Sequence, residues 1–243
     1  MSRLAAVLCA LALTAAACSA DTGDEADAGA EEATATTATN TGSDDSADDE
    51  AADEEASGEQ GVSGELVAPG EQFAPVTVVG ESLGDMPAQI PVTDADNDPA
   101  VGVVAPDLIG TDFDGTPVAI TADGTPRVVM FVAHWCGHCQ AEIPAVKALI
   151  DEGAVPDGLE IVVVSTAVQD GEPNFPPQDW LEREEWPGPV MRDSPEFDAL
   201  FAFGAGGFPF TVYLDGEHRV VARSAGQLPE DILQQIWSAT AGA

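Results

Sequence analysis

A continuous apolar run, Arg127 to Ala133, stops at His134-Trp-Cys-Gly-His-Cys139, and an amphipathic stretch follows to about Asp151. Apolar residues without alternation mark a strand buried on both faces. Such a strand must lie inside a sheet, and the amphipathic stretch behind it must cover one face of that sheet. The two cysteines therefore sit where a central strand hands over to a helix. The rest of the domain follows the same order. Val118 to Ile120 is a short strand after the turn Asp114-Gly115, and Leu159 to Thr166 is a second buried strand. Residues 168–195 form an irregular insertion. Phe210 to Leu214 and His218 to Ala222 flank Asp215-Gly216 as a hairpin. Pro229 to Thr240 reads as a closing helix with Ile232, Leu233, Ile236 and Trp237 on one face. This order predicts an α/β fold around a mixed sheet, spanning residues 99–243.

What precedes residue 99 has another character. Leu4 to Ala17 is apolar, follows Arg3, and is too short to span a bilayer. It ends in Ala15-Ala-Ala-Cys18, and residues 1–17 read as an export signal. Residues 21–60 hold 15 Asp or Glu, no Lys or Arg and no aromatic residue. Such a segment buries too little apolar surface to offset its ordering entropy, so residues 18–98 are expected to be an acidic tether. Phe73 to Val79 offers one short strand within it. The whole chain carries 44 acidic residues against 7 basic ones, a net charge of −37. That excludes nucleic acid and anionic lipid headgroups as electrostatic partners.

The helix start decides the chemistry expected of the cysteines. Free N–H groups and the positive end of the helix dipole favour a thiolate at Cys136, which is expected below the roughly 8.5 of a free thiol. Cys139, one turn on, is close enough to close a disulfide with it. Gly137 and His138 lie between them and set the redox poise, and a nearby imidazole raises the potential by stabilising the thiolate. His134 is expected to add to this. Zinc is the rival for the same residues, but zinc sites bring a second ligand pair from a distant segment. No second CxxC or HxxxH exists, and His218 is assigned to a surface strand. A purely structural disulfide would close a loop of two residues and gain little chain entropy. A peroxidase of the peroxiredoxin type needs a different local motif, with Thr or Ser near its cysteine.

Trp135-Cys136-Gly-His-Cys139 resembles the active site of the thioredoxin superfamily, and its central dipeptide resembles that of protein disulfide isomerases. Pro144 matches the helix-kinking proline of thioredoxins, and Phe208-Pro209 matches their cis-proline. Ala105-Pro-Asp107 with Asp114-Gly-Thr-Pro-Val118 resembles the N-terminal hairpin of the TlpA/ResA-like branch. Cys139-Gln-Ala-Glu-Ile-Pro144 resembles that branch's helix start, and the segment 168–195 its helix-bearing insertion. The small residues before Cys18 resemble a bacterial lipobox, the alternative being an ordinary secretory signal with an incidental thiol. These resemblances imply a thioredoxin-like fold and an exported thiol–disulfide oxidoreductase tethered through lipidated Cys18. They further imply that Cys136 is the nucleophile, Cys139 the resolving thiol, and Glu142 its proton acceptor. Trp135 and Phe208 would shape a client-docking surface. No organic cofactor and no metal is implied. The implied partners are exported cysteine-containing clients and a membrane thiol–disulfide electron donor. Reduction is the expected direction. The alternatives are a disulfide oxidase or isomerase and a non-enzymatic module for metal binding or cytochrome maturation.

Overall fold

The computed structural model describes residues 71–87 and 97–243. Five strands form the central sheet: β4 (Arg127–Val132), β5 (Glu160–Ser165), β6 (Val190–Arg192), β7 (Phe210–Leu214) and β8 (Val220–Ala225), in the order β6-β5-β4-β7-β8. β4, β5 and β6 run parallel, while β7 and β8 are antiparallel additions. All six residues of β4 are buried, as its unbroken apolar run requires.

Alternation along these strands feeds two separate cores. Val128, Met130, Val132, Val163 and Tyr213 face helices α1 (Gly137–Asp151), α2 (Pro177–Arg183) and α4 (Glu230–Ala241). Val129, Phe131, Val164, Phe210 and Val212 face the opposite way, onto α3 (Asp198–Ala202) and a second sheet. That sheet joins β1 (Thr77–Val79), β2 (Asp107–Thr111) and β3 (Pro117–Ile120), all antiparallel. The turn between β2 and β3 is closed by Asp112, whose Oδ1 accepts the N–H groups of Asp114 and Thr116 at 2.9 and 2.7 Å.

Three features differ from the sequence expectation. Residues 71–87 and Asp98, assigned to the tether, are parts of the packed domain. β1 pairs with β2, Ala74 is buried, and the Asp98 carboxylate binds the Arg223 guanidinium through two bonds of 2.6 and 2.8 Å. Arg223 also donates to the carbonyls of Gly84 and Phe203. A side chain at Gly204 (φ +72°) would collide with the Gly84 carbonyl, so a glycine is needed there for the segment to dock. The segment docks through Val76, Val78, Leu83 and Met86 packed against the core, through backbone bonds, and through this buried ion pair. Second, the insertion contains the edge strand β6, and α3 follows it; Asp193 caps α3 by accepting the N–H groups of Ala199 and Leu200. Third, His218 is not on a surface strand. It sits buried in the β7–β8 turn with φ +63°, its Nε2 3.4 Å from the Pro106 carbonyl, and burial lowers its pKa. The tight Asp215 turn delays β8 to Val220 and turns the ring inward.

The proposed export signal, Cys18 and the acidic run lie outside the described residues, as do Cys9 and residues 88–96. Among the described residues no helix is long and apolar enough to cross a membrane.

Candidate redox site

The end of β4 and the start of α1 set the site. Cys136 occupies the N-cap position of α1 in extended conformation, and its carbonyl accepts the Gln140 N–H at 3.0 Å. No acidic side chain stands in the first turn, and the Cys136 side chain makes no capping hydrogen bond. Cys136 is half-buried, and its Sγ lies 3.7 Å from the Phe208 carbonyl. The Phe208–Pro209 peptide is cis. The loop before β7 thus brings a backbone carbonyl to the sulfur from a segment 72 residues away. Pro144 lies inside α1 on an exposed position and leaves the Gln140 carbonyl without its helical N–H partner.

Cys139 is fully buried one turn further on, in contact with the Cys136 thiol, and both cysteines are reduced. Burial pushes the Cys139 thiol up, and the neighbouring Cys136 and Glu142 push it further. Glu142 follows Cys139 at the i+3 position on the inner face of the same helix. It is 2% exposed, and its Oε2 has no hydrogen-bond partner. Burial raises its pKa from 4.5 to about 7, against an opposing backbone bond from Leu228. A carboxyl group that exchanges its proton near neutrality therefore stands beside a thiol that does not ionise unaided.

Tyr213 and Leu228 complete the surroundings of Glu142, and neither was among the residues expected from the sequence. Tyr213 is the only tyrosine of the chain and fully buried; burial raises its pKa, and the Glu142 charge adds to that. Strand alternation from Phe210 places it on the α1 side, which was the available signal. Leu228 comes from the loop before α4 and left no local signal.

Trp135 stands beside the dithiol as its place in the motif suggests. Its Nε1 donates to the Ala167 carbonyl at 2.7 Å, and its ring meets Phe208 edge-on with centroids 6.0 Å apart. Gly137 and His138 are exposed on the first turn of α1. His134 departs from expectation. Its Nδ1 is 2.8 Å from the Pro173 carbonyl and its Nε2 accepts the Gln169 N–H at 3.1 Å, so neither nitrogen is offered to Cys136. The pattern fixes the neutral tautomer with the proton on Nδ1. His134 lies at the strand's end, where the ring points into the insertion loop rather than along the helix. Among the described residues, no three His, Cys, Asp or Glu side chains converge to hold a metal ion.

The thiol:disulfide interchange protein HelX of Rhodobacter capsulatus is 30% identical over 111 residues, covering 46% of this chain. The chain spans only 58% of HelX. The thioredoxin domain of a thiol-disulfide oxidoreductase from Bacteroides vulgatus superposes with a TM-score of 0.47 at 23% identity, over 58% of this chain and 99% of that one. A thiol:disulfide interchange protein of the thioredoxin family from Chlorobium tepidum gives 0.48 at 24% identity, over 56% and 94%. The fold is thioredoxin-like, with its mixed sheet, flanking helices, N-terminal hairpin and helical insertion all in place. With residues 101–232, more than half of the chain, matching that family, the protein belongs to the AhpC/TSA family.

Proposed function

We propose that this protein is a thiol–disulfide oxidoreductase of the TlpA/ResA-like branch, working outside the cytoplasm as a reductase of cysteines in exported proteins. The observation that supports this reading is the division of labour within α1. Cys136 is accessible at the helix N-terminus, whereas Cys139 is buried beside Glu142, a carboxyl poised near neutrality.

The Cys136 thiolate attacks one sulfur of a client disulfide, and the other client sulfur leaves as a thiolate. Cys139 then transfers its proton to the Glu142 carboxylate and attacks the Cys136 sulfur. The second client thiolate leaves, and Cys136 and Cys139 are left as a disulfide. The two electrons given to the client are restored by a membrane thiol–disulfide partner. Trp135 and Phe208 flank the sulfur, and the Phe208 backbone is available to pair with an extended client segment. The chain is held at the membrane through lipidated Cys18.

Reduction of insulin or glutathione disulfide in the presence of a chelator tests the activity. Turnover by the full chain and its loss in Cys136→Ser are expected; an inactive wild type ends the reading. Equilibration with glutathione buffers tests the direction. A potential between roughly −270 and −180 mV is expected, and a value more oxidising than about −150 mV reverses the assignment to a disulfide donor. Mass spectrometry of the mature N-terminus from a bacterial host tests the anchor: cleavage elsewhere with unmodified Cys18 removes it.

A further inference from the structure

A groove of about 930 Å³ opens on the insertion side of the site. Its volume is at the upper end of the roughly 300–1,000 Å³ typical of ligand clefts. Phe73 and Val76 of the N-terminal segment line it, together with Val168 and Phe175 of the insertion loop. Phe175 is 40% exposed, an unusual position for a large apolar ring. The charged side chains around it are Glu71, Asp170, Glu196 and Asp198, and among the described residues no Lys or Arg lines it. The neighbouring Arg192, buried and donating to the Glu71 carbonyl and Thr111 Oγ1, offsets Glu71 through its charge and leaves Asp170, Glu196 and Asp198.

The insertion-loop wall is fastened to the dithiol. The Ala167 carbonyl, next to Val168, accepts the Trp135 Nε1–H. Gln169 and Pro173 engage the two ring nitrogens of His134, and Phe175 meets the His134 ring edge-on at 5.9 Å. Two residues immediately before Cys136 thus hold one wall of the groove.

We propose that this groove docks an extended apolar segment of the client that carries Lys or Arg side chains. An apolar floor takes the aliphatic and aromatic side chains, and the carboxylates of Asp170, Glu196 and Asp198 receive flanking cations and repel acidic segments. The docking is a binding property; its consequence, selecting which disulfide meets Cys136, rests on the oxidoreductase reading.

The test uses the full chain and fluorescein-labelled, cysteine-free peptides that share a Leu/Val core and differ only in Lys, Ser or Glu flanks. Fluorescence anisotropy is expected to rank them Lys, Ser, Glu in falling affinity, with the Lys-flanked peptide weakened by added salt. Asp170→Lys with Glu196→Lys is expected to weaken the Lys-flanked peptide about tenfold. For a Lys-flanked peptide carrying a disulfide, KM should rise by the same factor with kcat retained. Turnover of glutathione disulfide by the wild type tests the oxidoreductase reading separately, so its failure leaves the binding result standing. Equal affinity for the three peptides, or an unaltered double variant, overturns the proposal. A dimer in sedimentation that Phe175→Ser dissociates assigns the groove to a second copy and also overturns it. A monomer that binds none of the peptides overturns it as well.

Discussion

Glu142→Gln separates the buried carboxyl's effect on stability from the catalytic part proposed for it. The folded chain holds the Glu142 proton up to about pH 7, whereas an unburied glutamate releases it near 4.5. Between these values the unfolded chain binds fewer protons, so stability falls as pH rises through the window. The contribution is fully present below about pH 4.5 and lost above about pH 7. At about 1.36 kcal/mol per pH unit, the cost of the ionised form in the folded chain is about 3 kcal/mol. Glutamine keeps the shape and carries no titrating proton. Urea unfolding of the reduced proteins between pH 4.5 and 8.5 reads the difference, because every other titration is common to both. The variant's advantage over wild type is expected to grow by about 3 kcal/mol from the acid to the alkaline end. Cys139 and Tyr213, both raised by burial, stay protonated across that range and do not add to it. The same variant has no acceptor for the Cys139 proton, so mixed disulfide should accumulate. A stability difference flat to within about 0.5 kcal/mol would refute the buried-carboxyl argument.

Other expectations follow from single contacts. In the reduced chain, iodoacetamide should modify Cys136 rapidly and Cys139 slowly, so Cys136→Ser loses the fast phase and Cys139→Ser retains it; a fast phase surviving in Cys136→Ser reverses the assignment. Asp98→Asn leaves the Arg223 guanidinium buried and unpaired, and should cost about 3–5 kcal/mol in urea unfolding. An unchanged midpoint would show that residues 97–98 do not dock on the domain in solution. Trp135→Phe removes the bond to the Ala167 carbonyl and should cost about 1 kcal/mol; amide exchange should quicken around Ala167, and an unaltered exchange pattern would show that the bond does not hold the loop.

Much of the fold was legible in the sequence because its signals are local. The unbroken apolar run from Val128 to Ala133 required a central strand, and the amphipathic stretch after it required a helix on one face. Cys136, Cys139 and Glu142 then lay on one helix at spacings fixed by its 3.6-residue turn, so their nearness needed no tertiary information. Tertiary structure alone decided what surrounds them. The rise of Glu142 to about 7 is a consequence of burial, which distant elements supply, and the backbone bond from Leu228 opposes it. His134 looked like a neighbour of the thiol in sequence, yet Gln169 and Pro173, 35 and 39 residues on, take both its nitrogens. His218 was misplaced for a related reason, since a side chain in a tight turn can face inward without any periodic pattern to reveal it. The N-terminal boundary was hidden too: the alternation at Ala74, Val76 and Val78 is short and set among prolines and acids, and the segment's attachment also needs the Asp98–Arg223 pair across 125 residues and a missing side chain at Gly204. Periodicity and spacing record interactions along the chain, whereas desolvation, ion pairing and close backbone approach depend on segments that only folding brings together.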